Sequence, residues 1–312
     1  MCSRNWKKIK VVGSGAYGTV HLAIPLNLRL SSKTIAVKSS TLEDSESLQK
    51  EQRILEHFSN CSEILQCYGN ELTIENGQRV YNLLLEYANG GDLMDLIESR
   101  QGRLPECEVQ IYTRMILKGL LRIHEHGYVH CDLKPENILV FRSDFGVQLK
   151  ISDFGLSKEP GKEDDFFVNS SSEFRFRGTP PYMSPESVAF GEIIEAPLDI
   201  WSLGCIVIGM ISGEFAWPSL DNKDLVRWLA FSNKEPELPR NMSAKGKNFL
   251  RKCFIRNPRE RWTAEMLLDH PFVAEIEDHP LKLESIPSCS HSKNFCNLSL
   301  HQVSRPGQCG FM

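Results

Sequence analysis

The chain has 312 residues, 41% of them apolar and 24% charged, a balance typical of a soluble globular protein with one large domain or two moderate ones. Its formal net charge of -4 gives no basis for bulk binding to nucleic acid or to an anionic membrane surface. The ten cysteines include no Cys-x-x-Cys pair, and the polar opening of the chain does not resemble a signal peptide. We therefore expect reduced thiols, a cytoplasmic location with the nucleus as a second option, and no membrane span.

The chain opens with β-rich stretches that glycine or polar turns separate. They lie at residues 8–12, 19–23 and 34–38. The first turn has the pattern Gly13-x-Gly15-x-x-Gly18, whose glycines let the backbone approach phosphate groups closely. In a dinucleotide-binding fold this pattern opens a helix, whereas here a strand follows it. The pattern therefore predicts a hairpin lid over ATP.

A lysine and a glutamate come next at a separation that suggests a pair. Lys38 ends the third strand, and residues 45–58 follow it with apolar side chains at helical spacing. Asp44 is the predicted cap of this helix, and Glu51 lies in its middle. Each charge alone is usually just solvated. Together they favour an ion pair that holds the Lys38 ammonium against phosphates.

Two further strands, at residues 64–72 and 79–86, precede a change from strand to helix pattern at residues 86–92. This change predicts a boundary between two lobes, with a simple Gly-Gly linker as the alternative. A long, largely apolar helix is expected at residues 107–127. A second apolar run, at residues 200–211, is too short to span a bilayer and predicts a buried helix.

The stretch at residues 128–140 carries the most chemistry in the chain. Asp132 and Asn137 lie five apart with Lys134 between them, in the order H-x-D-L-x-x-x-N. An ordinary turn is the alternative interpretation, because Lys-Pro-Glu-Asn is common turn chemistry. A strand predicted at residues 146–151 then leads to Asp153-Phe-Gly.

The glycine pattern, Lys38, Glu51, the stretch at 128–140, Asp153-Phe-Gly and Ser184-Pro-Glu stand in one order, and by these motifs the chain resembles a eukaryotic protein kinase from about residue 6 to 272. Lys134 and Thr179 resemble the serine/threonine kind. The resemblance implies an α+β, bilobal protein kinase fold, with a small β-rich N-lobe and a larger helical C-lobe. The implied boundaries are residues 1–86 for the N-lobe, 87–91 for the hinge, 92–273 for the C-lobe and 274–312 for a flexible tail.

The resemblance also implies roles for individual residues. Asp132 accepts or orients the substrate hydroxyl, Lys134 steadies the γ-phosphate, and Asn137 and Asp153 bind two Mg²⁺ ions. Leu85 lies at the back of the adenine site, where the size of its side chain limits access to the pocket behind. The residues that it implies for ATP binding are Gly13, Ser14, Gly15, Ala16, Tyr17, Gly18, Val20, Ala36, Lys38, Glu51, Glu86, Ala88, Asp92, Leu139 and Asp153.

The resemblance implies structural partners and a narrower group as well. The helix that begins near Asp199 is expected to prop the catalytic stretch, and Arg261 is expected to pair with Glu186. The motifs at residues 125–140, 196–205 and 268–272 are similar to the plant mitogen-activated protein kinase kinase kinase (MEKK-like) group. This similarity implies that the protein substrate is a mitogen-activated protein kinase kinase. A serine/threonine kinase of another pathway and a kinase-fold scaffold with little activity are the alternatives.

One position departs from the kinase pattern. The family's usual arginine before the catalytic aspartate is Cys131 here, and a neutral thiol cannot pair with a phosphate on the activation segment, residues 153–186. We therefore hypothesise that activity does not depend on a phosphate docked at Cys131, and that protein abundance or a partner controls the enzyme. Within this segment, the serines at 170–172 are a candidate site of autophosphorylation. The alternative is that they are only a flexible loop, as a serine run most often is.

Overall fold

The computed structural model describes residues 6–15, 18–26, 34–161, 177–188, 194–217, 221–232 and 234–275. The N-terminal lobe is one antiparallel sheet with a single helix, and the C-terminal lobe is mainly helical. This α+β, two-lobed architecture is the one that the resemblance implied. Ala16, Tyr17, the serines at 170–172 and the tail beyond residue 275 lie outside the described residues.

The N-terminal sheet has five strands in the order β1-β2-β3-β5-β4, and α1 packs against β4 and β5. Its elements are β1 (Trp6–Gly15), β2 (Gly18–Pro25), β3 (Ile35–Thr41), α1 (Glu46–His57), β4 (Cys67–Glu75) and β5 (Gln78–Glu86). The two edge strands of this sheet lie close enough for a side-chain contact, because Lys8 of β1 forms an ion pair with Glu75 of β4 at 3.0 Å.

Strand β3 is buried on both faces, which explains its apolar sequence. Ile35 and Val37 pack into a small cluster with Trp6, whereas Ala36 joins the main core on the other face. Because side chains alternate along a strand, Lys38 lies on the same face as Ala36. The sheet therefore directs the lysine toward the space between the lobes.

The C-terminal lobe is built around a helix that is buried on nearly all sides, as the apolar run at 200–211 predicted. Its elements are α2 (Leu93–Ser99), α3 (Glu106–Glu125), β6 (Ile138–Ser143), β7 (Gly146–Ile151), α4 (Pro197–Ser212), α5 (Asn222–Phe231), α6 (Ala244–Cys253) and α7 (Ala264–Leu268). Helix α4 starts with Pro197 at its first turn and ends at Gly213 in the left-handed conformation, φ 76°.

Two sequence predictions were wrong in detail. Strand β4 begins at Cys67 rather than at 64, because the preceding residues instead run along β7, where Leu65 N donates to Ile151 O at 2.9 Å. Asp44 is not the cap of α1, whose N-cap residue is Ser45. The Asp44 carboxylate instead accepts the hydroxyl of Thr41 at 2.6 Å, so it belongs to the turn before the helix.

Among the described residues, no helix is long and apolar enough to cross a membrane. The cysteines in this part of the chain are free thiols. They are Cys61, Cys67, Cys107, Cys131, Cys205 and Cys253.

Candidate active site

The stretch at 128–140 leaves the end of α3, makes a short 3₁₀ turn at Pro135–Asn137 and enters β6. A buried carboxylate on α4 fixes the start of this path. Asp199, fully buried, accepts the amide protons of His130 and Cys131, each at 2.9 Å. The predicted role of the Asp199 helix as a prop is confirmed.

Cys131 occupies a strained backbone position, with φ at 69°. A non-glycine residue in this region costs about 1–3 kcal/mol and persists only when its surroundings hold it there. The two bonds from Asp199 supply part of that constraint, and the thiol itself is buried. Burial, with the nearby charge of Asp199, raises the pKa of the thiol to about 12. The side chain of Cys131 therefore packs in the protein interior and is not a reactive nucleophile.

Asp132 has three side-chain neighbours that fix its carboxylate. Lys134 Nζ lies 3.1 Å from Oδ2, and Asn137 Nδ2 donates to the same oxygen at 3.3 Å. Thr179, far along the chain, donates its hydroxyl to Oδ1 at 2.6 Å and accepts from Lys134 at 2.9 Å. A carboxylate that is 9% exposed and held on both oxygens is positioned to receive a proton from one direction.

Lys38 lies between two carboxylates from different lobes. Its ammonium is 2.7 Å from Glu51 on α1 and 3.2 Å from Asp153 after β7, so the predicted Lys38–Glu51 pair is confirmed. Burial opposes the charge on Lys38, but the two carboxylates outweigh it and raise its pKa. Burial raises the pKa of Glu51, whereas the ammonium outweighs burial at Asp153 and lowers its pKa. The site therefore keeps Asp153 ionised.

Asp153 is also held by its backbone and by its neighbour. Its φ of 62° is again left-handed, and Phe154 packs edge-on against the His130 ring at 5.2 Å. Ser152 N donates to the carbonyl of Asn137 at 2.9 Å, which ties the 3₁₀ turn to the segment that carries Asp153. The two residues expected to bind metal therefore belong to directly bonded segments.

The glycine pattern lies at the end of the β1–β2 hairpin in the N-terminal lobe. Gly13, Ser14 and Gly15 end β1, and Gly15 pairs with Gly18 at the start of β2. Gly18 has φ of 130°, and a Cβ atom there would lie 2.4 Å from the carbonyl oxygen of Ser39. Only glycine fits this position, so the close approach of the turn to β3 depends on it.

At the opposite end, β5 leads through Glu86 into the hinge at residues 87–91. Leu85 and Ala36 are direct partners in the sheet, and Leu139 of β6 forms an isolated bridge with Asp92. The Asp92 carboxylate caps α2 by accepting Asp95 N at 2.9 Å. Burial, together with repulsion from Asp95 and Glu136, raises its pKa to about 7.

These residues fit a nucleotide and a divalent cation. Asp153 keeps 30% of its side chain exposed while it is held by Lys38, so it retains oxygen surface for a metal ion. Asn137 donates from Nδ2 to Asp132, so its hydrogen bonds to that residue do not involve the amide oxygen. Carboxylate and amide oxygens are suitable ligands for Mg²⁺ beside phosphate groups.

The C-terminal lobe also contains a buried ion pair between Arg261 and Glu186. Arg261 Nη2 lies 3.0 Å from Oε2 of Glu186, which confirms the predicted pair.

Thr179 is a site residue whose contact the sequence did not predict. From the sequence it indicated only the serine/threonine kind of kinase, whereas in the structure its hydroxyl donates to the Asp132 carboxylate. The Gly-Thr-Pro-Pro-Tyr motif was the available signal for it.

Comparison with known proteins places these features in context. The family model described as a protein kinase domain matches residues 6–273. Mitogen-activated protein kinase kinase kinase 20 of Arabidopsis thaliana is 39% identical over 88% of this chain and 80% of its own length. Mitogen-activated protein kinase kinase kinase 17 of the same organism is also 39% identical, over 88% of this chain and 70% of its own. The MAP kinase kinase kinase SSK2 of Saccharomyces cerevisiae is 33% identical over 88% of this chain and 19% of its own.

Proposed function

The chain belongs to the protein kinase family as a serine/threonine protein kinase that uses ATP and a divalent metal ion, and we propose that this ion is Mg²⁺ and that the substrate is a mitogen-activated protein kinase kinase. The observation that carries the kinase activity is the placement of Lys38, which contacts Glu51 at 2.7 Å and Asp153 at 3.2 Å. The similar plant and yeast proteins are mitogen-activated protein kinase kinase kinases, which supports the cascade role.

The proposed roles follow from the contacts. Asp132 orients the substrate hydroxyl and receives its proton, because Thr179 and Asn137 hold its two oxygens. Lys134, which touches Asp132 at 3.1 Å, stabilises negative charge beside the same hydroxyl. Bound ATP and its metal ion supply the phosphoryl group and neutralise its charge.

The nucleotide is held by residues from both lobes. Lys38 contacts phosphate oxygens under the glycine turn, and Glu51 keeps the lysine in place. Asn137 and Asp153 supply the oxygen ligands of the metal ions. The hinge backbone between Glu86 and Ala88 holds the adenine, with Val20, Ala36 and Leu139 as its apolar walls.

Reduced thiols support a cytoplasmic or nuclear location for this enzyme.

The test is a phosphorylation assay with purified chain, Mg-ATP and catalytically inactive mitogen-activated protein kinase kinases. We expect phosphate on serine or threonine of these substrates and a loss of about 10²–10⁴ in kcat for Asp132→Asn. Asp144→Asn is the matched control, because it makes the same Asp-to-Asn change at an exposed residue in the turn between β6 and β7. Generic substrates phosphorylated while the kinase kinases are not would point to another pathway. Equal, near-zero signals from wild type and Asp132→Asn would favour the scaffold.

A further inference from the structure

Glu86, the residue just before the hinge, is held by an ion pair to the other lobe. Lys150 of β7 donates to both carboxylate oxygens of Glu86, at 2.7 and 2.9 Å. The two side chains are only 10% and 15% exposed. The Lys150 ammonium also lies 4.8 Å from the centre of the Phe141 ring. A charge pair so well buried is fixed in one geometry, unlike an exposed pair that rearranges with solvent.

The same carboxylate is bound from a third direction. Gln66 N donates to Glu86 Oε1 at 2.8 Å, and Glu86 N donates back to Gln66 O at 3.0 Å. The side chain of Gln66 in turn donates to the carbonyls of Cys61 and Ile64, at 2.8 and 2.9 Å. Glu86 therefore joins the start of the hinge to the segment between α1 and β4 as well as to β7.

The far end of the hinge is held by a side chain that imitates a strand. Asn89 Nδ2 donates to the carbonyl of Arg142 at 2.9 Å, and Arg142 N donates to Asn89 Oδ1 at 2.7 Å. Gly90 and Gly91 continue the pairing through two backbone bonds to Val140, each at 2.9 Å. The end of the hinge thus lies on β6 as an additional short strand would.

Only Tyr87 and Ala88 remain between these two attachments. Both attachments lead to one hairpin, β6–β7, and Asp153 follows Lys150 by three residues. We infer that Lys150 and Asn89 are positioning residues, which fix the backbone of Tyr87 and Ala88 on the β6–β7 hairpin and so set the affinity for the adenine of ATP. The inference rests on the proposed function, because it assigns the adenine to this backbone.

Stability alone does not account for this arrangement. Buried ion pairs contribute little to folding relative to apolar side chains of the same volume, since desolvation of the charges offsets their attraction. Apolar residues of similar volume at both 86 and 150 would serve the core about as well. The ion pair adds directionality, because two donors on one carboxylate define where Glu86, the residue just before the hinge, lies relative to β7.

The experiment compares nucleotide binding with turnover in the full chain. Lys150→Met removes the ammonium and keeps the length of the side chain, and Asn89→Ala removes the amide. We expect Lys150→Met to raise both the Kd for a fluorescent ATP analogue and the KM for ATP about tenfold, with kcat at saturating ATP within about threefold of wild type. We expect Asn89→Ala to raise both constants several-fold. Lys150→Arg should restore values close to wild type. Lys245→Met should change nothing, because Lys245 forms its ion pair with Glu275, at 2.9 Å, on the exposed surface.

The outcomes separate this inference from the proposed function. Wild type that binds ATP, with a Kd and KM unchanged in Lys150→Met, would overturn the inference and leave the kinase assignment intact. A fall in kcat at unchanged KM would also overturn it. Wild type that binds no nucleotide would overturn both. If Lys150→Met does not fold, Glu86→Gln carries the test, because its amide oxygen still accepts from Gln66 while the charge pair is lost, and a several-fold rise in Kd is expected.

Discussion

The Nη1 atom of Arg177 lies 4.0 Å from the Sγ atom of Cys131, so a guanidinium of the activation segment approaches the position where the kinase sequence pattern usually has an arginine. The usual arginine would be a partner for a phosphate on that segment. Here the thiol is neutral and buried, and the cation already belongs to the segment itself. The contact therefore supports a site that is ordered without a phosphate at Cys131.

Phosphatase treatment is the direct check of this hypothesis. We expect the specific activity of treated protein to stay within about twofold of untreated protein, since no phosphate partner is offered by residue 131. Mass spectrometry before and after treatment verifies that phosphate was present and was removed. A collapse of activity on treatment would show that the segment depends on phosphate after all.

Cys131 should also resist alkylation in the folded protein. Its pKa is raised to about 12, chiefly by burial, so almost no thiolate exists at pH 8. Cys107, by contrast, is exposed. Brief treatment with iodoacetamide at pH 8, followed by peptide mapping, should modify Cys107 and spare Cys131. Both should react after unfolding in urea, and labelling of Cys131 at the rate of Cys107 in folded protein would contradict its burial.

The sequence was sufficient for contacts whose two partners each belong to a recognisable motif. Lys38 and Glu51 could be paired in advance, because a lysine at a strand end and a glutamate in the middle of the next helix are the two members of a known kinase ion pair. Arg261 and Glu186 were predicted in the same way. In each case the chemistry of the residues restricts the choice of partner.

The contacts that hold the hinge could not be found this way. Nothing in the sequence near Glu86 or Asn89 indicates that their side chains bond to Lys150 and to the backbone of Arg142, because these pairs exist only once the hinge lies on the β6–β7 hairpin. The predicted cap at Asp44 failed for a related reason. A nearby hydroxyl competed for its carboxylate, and propensity does not decide between two local partners.

Gly18 should be irreplaceable for two separable reasons, strain and collision. Its φ is 130°, and an added Cβ would lie 2.4 Å from the carbonyl oxygen of Ser39. Gly69 provides the matched control, because its φ is 112° but nothing lies within 4 Å of its added Cβ. We expect Gly69→Ala to cost about 1–2 kcal/mol of unfolding free energy from strain alone. Gly18→Ala should cost more and should also weaken ATP binding about tenfold or more.

Urea unfolding and nucleotide titration measure these two effects. Equal unfolding free energies for the two variants would mean that β3 moves aside without cost. Unchanged ATP affinity in a folded Gly18→Ala variant would mean that the glycine turn does not contact the nucleotide.

Asp92 should make stability depend on pH in an unusual direction for a carboxylate. Burial and the neighbouring carboxylates raise its pKa from 3.8 to about 7, so the folded state binds this proton more tightly than the unfolded state does. The stability that this proton contributes is fully present below about pH 4 and is lost as pH rises to about 7. The slope from one such proton is at most about 1.4 kcal/mol per pH unit.

The measurement is the unfolding free energy of wild type and Asp92→Asn between pH 5 and 8. Asparagine caps helices as well as aspartate does, so the variant keeps α2 capped but cannot titrate. Wild type should lose stability relative to the variant as pH rises through this window. Asp95→Asn should reduce the loss, because it removes one of the repelling charges. Parallel curves for wild type and Asp92→Asn would exclude the raised pKa.

Arg261 should be more important to stability than the charge of its partner Glu186. Its side chain is fully buried, and besides Glu186 it donates to the carbonyls of Ile255 and Pro197, at 2.9 and 2.7 Å. Arg261→Met would leave a buried carboxylate and these carbonyls without the arginine. Removal of one partner of a buried pair costs about 3–5 kcal/mol.

Glu186→Gln is the informative comparison, because its amide oxygen still accepts from the guanidinium. We expect it to cost about 1 kcal/mol, the scale of one weakened hydrogen bond. Tryptophan fluorescence, to which Trp201 contributes with its ring 5.1 Å from the guanidinium, reports unfolding in urea for both variants. If Glu186→Gln destabilised the protein as much as Arg261→Met, the ionic attraction would be the dominant interaction. If it does not, the arginine acts mainly as a set of hydrogen-bond donors that joins the end of the activation segment to α4 and the chain before α7.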